Sequence, residues 1–225
     1  FATIREFLPQ LKAEHQFWTQ TKHAVRLKDG SVLNRYWDEQ NTPREESYAE
    51  DTALFNNALP EHQGELYRHI RSAAESGWDF SSRWFRDGQN MCTIRTTEIL
   101  PVDLNSLLCQ MELRLSQWLH QAGDPDTSAF LAAAQARAVA LQKYCWDDAQ
   151  GWFFDYSLSD ECCTGVWSLA GVYPLYCRLT DDLQAARIAA NIAEKFLRPG
   201  GVVTTLSETG QQWDSPNGWA PLQLI

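Results

Sequence analysis

A run of apolar residues after Pro101 places the strongest constraint on the fold. Its members recur at steps of three and four residues, the spacing of one face of an α-helix. They are Leu104, Leu107, Leu108, Met111, Leu115, Trp118 and Leu119. Gly123, followed by Asp124 and Pro125, is typical of a helix end. The pattern predicts one long helix between Pro101 and Gly123 that buries this apolar face.

Several other segments are predicted as helices joined by aromatic loops that contain Gly and Pro. The segment 165–179 is apolar on most sides, which favours a buried helix. Residues 147–151 form a predicted turn, as a hairpin or an irregular crossover. Successive helices of this kind predict an all-α chain of stacked helical hairpins. The predicted helices span residues 4–24, 61–75, 101–123, 128–144, 165–179 and 182–197.

The composition disfavours two classes of partner. The formal net charge is −10, which disfavours nucleic acid because binding to phosphates needs a basic surface. No apolar run approaches the roughly 18 residues of a membrane span, so we expect no membrane partner. Neither the cysteines nor the histidines have metal-ligand spacing, and we therefore expect no metal and no cofactor.

Tryptophan, cysteine and histidine give further indications. Ten Trp favour a carbohydrate ligand, because indole rings stack on sugars as well as filling cores. The six cysteines are interpreted as free thiols, which favours a reducing compartment. The histidines fall on predicted polar helix faces and are expected to be exposed to solvent; they are His15, His23, His62, His69 and His120.

Asp79 is the candidate general acid. It lies between Trp78 and Phe80, just after a predicted helix that Gly77 can end. Apolar neighbours raise the pKa of a carboxyl group, and the acid of a glycosidase must hold its proton near neutral pH. The residues alone also allow a purely structural role, in which Asp79 caps the next turn or pairs with Arg83.

Two polar segments are candidates for binding sugar hydroxyls. The first, residues 42–51, carries Arg44, Glu45 and Glu46, and the fork of Arg donors and the carboxylate acceptors suit a ring of hydroxyls. A solvated helix start is the alternative interpretation of this segment. The second, residues 211–221, holds Trp213 and Trp219 around a Pro-Asn-Gly turn that could fix both indoles as a sugar-binding wall.

These segments resemble the trehalases of glycoside hydrolase family 37. The resemblance lies in Gln-Trp-Asp-Ser-Pro-Asn-Gly-Trp-Ala-Pro at 212–221, Glu-Ser-Gly-Trp-Asp-Phe-Ser-Ser-Arg-Trp at 75–84 and Pro-Arg-Glu-Glu-Ser-Tyr at 43–48. Residues 34–38 and 95–108 are similar to trehalase sequence as well. The family fold is an (α/α)6 barrel, so the resemblance implies an all-α toroid that is incomplete in this chain.

The resemblance also implies roles for individual residues. Asp79 corresponds to the proton donor to the glycosidic oxygen, and the substrate is α,α-trehalose. Asp214 is expected to hold a turn, and Arg95 to brace a loop or, less favoured, to face the sugar. The residues expected to contact substrate are Arg44, Glu45, Glu46, Gly77, Trp78, Gln212, Trp213 and Asn217.

Trehalases of this family invert the anomeric centre, which needs a second carboxylate as base. In the family that base is a Glu in a later segment, near a Gly-rich stretch, and residues 1–225 contain no such segment. We therefore expect these residues to form one partial catalytic domain that is inactive alone. A non-catalytic sugar-binding remnant and a glycosidase for another disaccharide stay open. A monomer is favoured, and the segment 7–18 favours the cytoplasm, with the periplasm as the alternative.

Overall fold

The computed structural model describes residues 2–218. Helices form most of the architecture, with short 3-10 turns at 82–84, 91–93, 96–98 and 169–172. Residues 192–196 continue the last α-helix as a π-helix. The α-helices are α1 (Ala2–Thr19), α2 (Tyr48–Asn57), α3 (Pro60–Gln63), α4 (Leu66–Ser76), α5 (Val102–Ala122), α6 (Thr127–Cys145), α7 (Tyr173–Tyr176) and α8 (Asp182–Asn191).

The strands are short and antiparallel, and within residues 2–218 they form no closed sheet. Three hairpins pair β1 with β2, β4 with β5, and β8 with β9, while β3, β6 and β7 form a small sheet. The predicted turn at 147–151 is a hairpin turn between β4 and β5. The strands are β1 (Ala24–Arg26), β2 (Val32–Asn34), β3 (Ile99–Leu100), β4 (Trp146–Asp147), β5 (Trp152–Phe153), β6 (Tyr156–Ser157), β7 (Cys162–Cys163), β8 (Leu197–Arg198) and β9 (Gly201–Val202).

Helices α5 and α6 form the helical hairpin at the centre of the fold. They run antiparallel, since Cys109 Sγ lies 3.3 Å from the carbonyl oxygen of Ala134 and Ser116 Oγ lies 3.1 Å from that of Thr127. The predicted bounds of α5 are confirmed, and Gly123 ends it with a φ of 71°. Most of its apolar face is buried, but Leu107 is 43% exposed, so its inclusion in that face is wrong.

The predicted buried helix over 165–179 is wrong. The segment instead contains one 3-10 turn and the single-turn helix α7, which begins beside Pro174. At the first residue of this 3-10 turn the chain pairs with a distant segment, because the backbone nitrogen of Leu169 donates to the carbonyl of Thr204 at 2.9 Å. Gly171 then packs so closely that a Cβ there would lie 2.3 Å from Trp152 Nε1. Long-range pairing therefore overrides the local helical pattern.

Two other predicted helices have different bounds. The helix over 61–75 is interrupted at residues 64–65 and becomes α3 and α4. The first helix ends at Thr19 rather than near Ala24, where β1 begins. The fourth predicted helix is confirmed as α8 with its π-helical end, and Asp181 caps it by accepting from Gln184 N at 2.7 Å.

The expectation that all histidines face solvent is wrong for His15, His23 and His69. His23 and His69 are 5% and 7% exposed, and the side chain of His15 is 13% exposed, with Nε2 3.1 Å from Glu112 Oε1. His23 Nε2 lies 2.8 Å from a carboxylate oxygen of Glu75, and His69 Nδ1 lies 3.3 Å from the backbone nitrogen of Thr97. Each ring is buried because a distant residue supplies its hydrogen-bond partner, which helix periodicity does not reveal.

Burial of His69 predicts that acid destabilises the fold. Burial, aided by nearby arginines, lowers the pKa of His69 to about 4, whereas an unfolded histidine titrates near 6.5. The unfolded chain therefore takes up the proton first, and the free energy of unfolding should fall by up to about 3 kcal/mol as the pH drops from 6.5 to 4. Urea unfolding at pH 7 and pH 5 measures this loss.

His69→Gln should flatten this pH dependence, because the variant has no imidazole to protonate. His120→Gln is the matched control, since His120 is exposed near the end of α5 and its loss should leave the dependence in place. An unchanged pH dependence in a folded His69→Gln protein would contradict the assignment to His69.

Residues 2–218 contain no disulfide, no candidate membrane-spanning helix and no candidate metal-binding group. All six cysteines are free thiols. Between residues 2 and 218, no helix combines the length and apolar character needed to cross a bilayer. The same residues hold no group of three or more His, Cys, Asp or Glu side chains arranged to bind a metal ion.

Candidate active site

The loop after α4 carries Asp79. Helix α4 ends at Gly77, which takes a left-handed φ of 73° that glycine adopts without strain. The backbone nitrogen of Trp78 donates to Ser76 Oγ at 3.0 Å, and the carbonyl of Trp78 accepts from Trp84 Nε1 at 3.0 Å. These bonds anchor Trp78 in the core, while Asp79 stays half-buried at the edge of the loop.

Burial is the main reason that the pKa of Asp79 is raised above its usual value. The nearby negative charge of Glu46 adds to the rise, whereas the backbone N–H of Asp79 and the positive charge of Arg44 oppose it. The predicted direction of the pKa change is therefore found, with burial as its dominant cause. A carboxyl group in this environment keeps its proton to a higher pH than an exposed aspartic acid.

The alternative role for Asp79 as the partner of Arg83 is wrong. Arg83 is fully buried and directs its guanidinium to Asp103 and Asp155, with Nη1 2.9 Å from Asp103 Oδ2 and Nε 2.6 Å from Asp155 Oδ2. It also lies 4.8 Å from the ring centroid of Trp78. Arg83 thus supports the loop from the core side and leaves the carboxyl group of Asp79 without an arginine partner from its own turn.

The turn containing Trp213 packs directly on the Asp79 loop. The backbone nitrogen of Trp213 donates to the carbonyl of Phe80 at 3.1 Å. The indole rings of Trp78 and Trp213 lie 5.4 Å apart at an interplanar angle of 32°. The structure therefore brings together two segments that lie about 130 residues apart in sequence. Trp219, the second indole of the predicted sugar-binding wall, lies outside the described residues.

Arg44 approaches the same loop from the segment before α2. Its side chain is held by Asp51, with Nε 3.0 Å from Oδ2 and Nη2 2.8 Å from Oδ1. This two-point contact fixes the plane of the guanidinium. The guanidinium carbon lies 5.1 Å from the ring centroid of Phe80. Sequence reasoning missed Asp51, although an acidic residue in the first turn of a helix is itself a recognisable signal.

The other predicted contact residues are mostly exposed. Glu45 and Glu46 face solvent, and a carboxylate oxygen of Glu45 lies 3.5 Å from Arg71 Nη1. Gln212 and Asn217 are exposed as well, and the backbone nitrogen of Asn217 donates to the carbonyl of Asp214 at 2.9 Å. These exposed polar side chains lie on the two segments that contact the loop of Asp79.

Asp214 and Arg95, which the sequence analysis singled out, have structural partners, and so does Asp155. Asp214, expected to hold a turn, is buried and accepts from Ser82 in the loop after Asp79 and from Thr205. Asp155 braces Arg83 and the start of α5, where its Oδ1 accepts from Val102 N at 2.9 Å. Arg95 braces a loop by an ion pair with Asp160 and lies beside a separate cavity of about 470 Å³ that Asp79 does not line.

The family model and the sequence relatives agree on one family. The family model "Trehalase" matches residues 1–225. A periplasmic trehalase from Xanthomonas axonopodis pv. citri is 45% identical over 100% of this chain and 41% of its own length. A periplasmic trehalase from Salmonella newport is 44% identical over 99% of this chain and 41% of its own length. The chain therefore spans less than half the length of these curated relatives.

A solved structure has the same fold. The neutral trehalase from Saccharomyces cerevisiae matches with a TM-score of 0.78 and 23% identity, covering 98% of this chain and 45% of that one. This likeness confirms the predicted fold class, an all-α chain that corresponds to part of an α/α toroid. Together with the full-length match to the family model, it shows that this chain belongs to the trehalase family.

Proposed function

We propose that the protein containing this chain hydrolyses α,α-trehalose to two glucose molecules. The observation that carries the proposal is the environment of Asp79. Its carboxyl group is half-buried and has a raised pKa, and its loop packs against both Arg44 and the Trp213 turn. A carboxyl group whose pKa is raised by burial, next to fixed donors and an indole, suits the acid of a glycosidase.

In this proposal Asp79 acts as general acid. It donates its proton to the glycosidic oxygen while the bond between that oxygen and the anomeric carbon breaks. A water molecule attacks the anomeric carbon from the opposite face, and a second carboxylate takes its proton. In an inverting enzyme the two carboxyl groups are about 6.5–9.5 Å apart, which leaves room for this water.

We assign the second carboxylate to the rest of the catalytic domain. The chain spans 41% of its relatives' length, and the resemblance implies a base in a later Gly-rich segment. On this proposal, residues 1–225 form one partial catalytic domain that binds part of the substrate but does not turn it over alone.

The proposed substrate contacts follow from the chemistry of the side chains on these segments. Arg44 offers donors in a plane fixed by Asp51, and Glu45 and Glu46 offer acceptors for hydroxyl groups. Trp78 and Trp213 supply the aromatic part of the proposed site. Gly77 leaves open space, since a Cβ built there meets no atom within 4 Å. The exposed side chains of Gln212 and Asn217 are further proposed contacts, and the Asn217 amide also donates to the carbonyl of Gln211 at 3.3 Å.

The names of the bacterial relatives favour one cellular compartment for this protein. The two bacterial relatives at 44–45% identity are called periplasmic trehalases, which favours the periplasm over the cytoplasm for this protein. We propose a small-molecule substrate, trehalose, and a monomer without a nucleic acid or membrane partner.

Assays on the chain and on its full reading frame test this function. The full-length protein should release glucose from trehalose, and NMR of the early products should show one β-glucose and one α-glucose, as inversion requires. The 225-residue chain should show no turnover. Hydrolysis by the chain alone that disappears in Asp79→Asn would place a base within these residues and overturn the partial-domain proposal.

A panel of disaccharides separates the alternatives. Faster hydrolysis of maltose, kojibiose or nigerose than of trehalose would identify a glycosidase of another specificity. Binding of trehalose by the full-length protein without any turnover would identify a sugar-binding remnant. Either result would contradict trehalose hydrolysis as the function.

A further inference from the structure

Asp214 is a fully buried carboxylate, and the groups that donate hydrogen bonds to it are uncharged. Among residues 2–218 it accepts from four side-chain hydroxyls and one backbone N–H, and its exposure is 0%. Oδ1 lies 3.0 Å from Ser81 Oγ, 2.8 Å from Ser82 Oγ and 2.8 Å from Thr205 Oγ1. Oδ2 accepts from the backbone nitrogen of Ser82 at 2.8 Å and from Thr209 Oγ1. Five donors suit a charged acceptor better than a neutral one.

These donors come from two different parts of the chain. Ser81 and Ser82 follow Asp79 by two and three residues, in the loop after α4. Thr205 and Thr209 precede the turn that holds Trp213. One carboxylate therefore joins the loop that carries the proposed acid to the segment that carries the proposed sugar-binding indole. This role extends beyond the turn-holding role expected from the sequence.

We propose that Asp214 is a positioning residue. Acting through Ser81 and Ser82, it fixes how deeply the carboxyl group of Asp79 is buried in the site. The proposal rests on the proposed hydrolytic function, because a fixed depth matters only if Asp79 delivers a proton. The bonds to Ser82 come both from its hydroxyl and from its backbone. They therefore restrain the main chain of the loop as well as one side chain.

The restraint is expected to control proton delivery. Burial is the largest cause of the raised pKa of Asp79, so a loop that moves outward would hydrate the carboxyl group and lower that pKa. The charged groups that act on Asp79 are Arg44, on the segment before α2, and Glu46 beside it. Both belong to a segment that Asp214 does not contact, so their effect should persist when Asp214 is changed.

Asp214→Asn in the full-length protein tests the proposal. An amide carries no charge, and its NH2 group would face hydroxyl and N–H donors, so the loop should loosen. We expect kcat to fall about 10²-fold, as for a small misplacement of a catalytic group. The alkaline limb of the kcat–pH profile, where Asp79 loses its proton, should move to lower pH. A loss of folded protein alone would lower the rate without moving this limb.

Two milder variants test the same proposal if Asp214→Asn does not fold. Ser82→Ala removes a hydroxyl on the loop side of Asp214, and Thr205→Val removes one on the opposite side. Both should move the alkaline limb in the same direction as Asp214→Asn. Thr93→Val is the matched control, because it removes a hydroxyl that donates to Asp87 at 3.0 Å in a surface turn. It should leave the limb unchanged.

A measurement that needs no activity separates this proposal from the proposed function. NMR titration of the Asp79 carboxyl carbon in the 225-residue chain, assigned with Asp79→Asn, reports its pKa directly. A lower pKa in the variants supports positioning even if trehalose is not hydrolysed. An unchanged pKa in folded Asp214→Asn, or a change with Ser82→Ala but not with Thr205→Val, overturns it.

Discussion

Replacing Asp79 with Asn is expected to lower kcat for trehalose by about 10²–10⁴-fold in the full-length protein, the usual contribution of a general acid. Asn has nearly the same shape but no proton to donate to the glycosidic oxygen. The wild-type rate should also fall as the pH rises through the pKa of Asp79, which burial raises. Steady-state kinetics on trehalose across pH measure both effects.

A substrate with a better leaving group distinguishes acid catalysis from a loss of structure. Fluoride leaves without protonation, so α-glucosyl fluoride should lose far less rate than trehalose in Asp79→Asn. Asp87→Asn is a matched control, because Asp87 only accepts backbone and hydroxyl donors in a surface turn. Equal losses for both substrates would contradict the role of Asp79 as acid.

Replacing Arg83 with Met is expected to destabilise the chain by about 3–5 kcal/mol, the usual cost of removing one partner from a buried ion pair. The side chain of Arg83 has 0% exposure and is paired with Asp103 and Asp155. Burial alone would disfavour its charge, but these two carboxylates outweigh that penalty and raise its pKa well above the usual range. Met keeps much of the volume and leaves both carboxylates unpaired. Urea unfolding monitored by circular dichroism measures the loss.

Arg114→Met provides the control for this change. Arg114 lies on the exposed face of α5 and bonds only to Gln117 within the described residues, so its loss should change stability by less than about 0.5 kcal/mol. Adding Asp155→Asn to Arg83→Met should recover part of the stability, because it removes one unpaired charge. A cost below about 1 kcal/mol for Arg83→Met would contradict a supporting role for this cluster.

Local patterns were sufficient for the parts of the fold that local forces determine. The apolar repeat and Gly123 predicted α5 closely, because a three- to four-residue repeat places side chains on one helix face and a left-handed glycine ends the helix. The same reasoning located Asp79 after a helix end at Gly77. The trehalase-like motifs, read as ordered strings of residues, indicated the family.

The errors share a different origin. The segment 165–179 has the composition of a buried helix, yet Leu169 pairs with Thr204 and the helix does not form. His69 lies on a helix and is buried because Thr97, 28 residues away, partners its ring. Neither partner can be identified from the surrounding sequence, because the contact depends on how distant segments pack.

The sequence by itself determined the helical class of this chain, the bounds of α5 and the position of Asp79 at the mouth of a loop. Only the tertiary structure decided which groups surround that aspartic acid. Arg83 turns away from Asp79 to Asp103 and Asp155, and Asp214 joins two segments about 130 residues apart. The physical reason is that helix propensity acts over a few residues, whereas the burial and charge that set the pKa of a carboxyl group come from whatever packs against it.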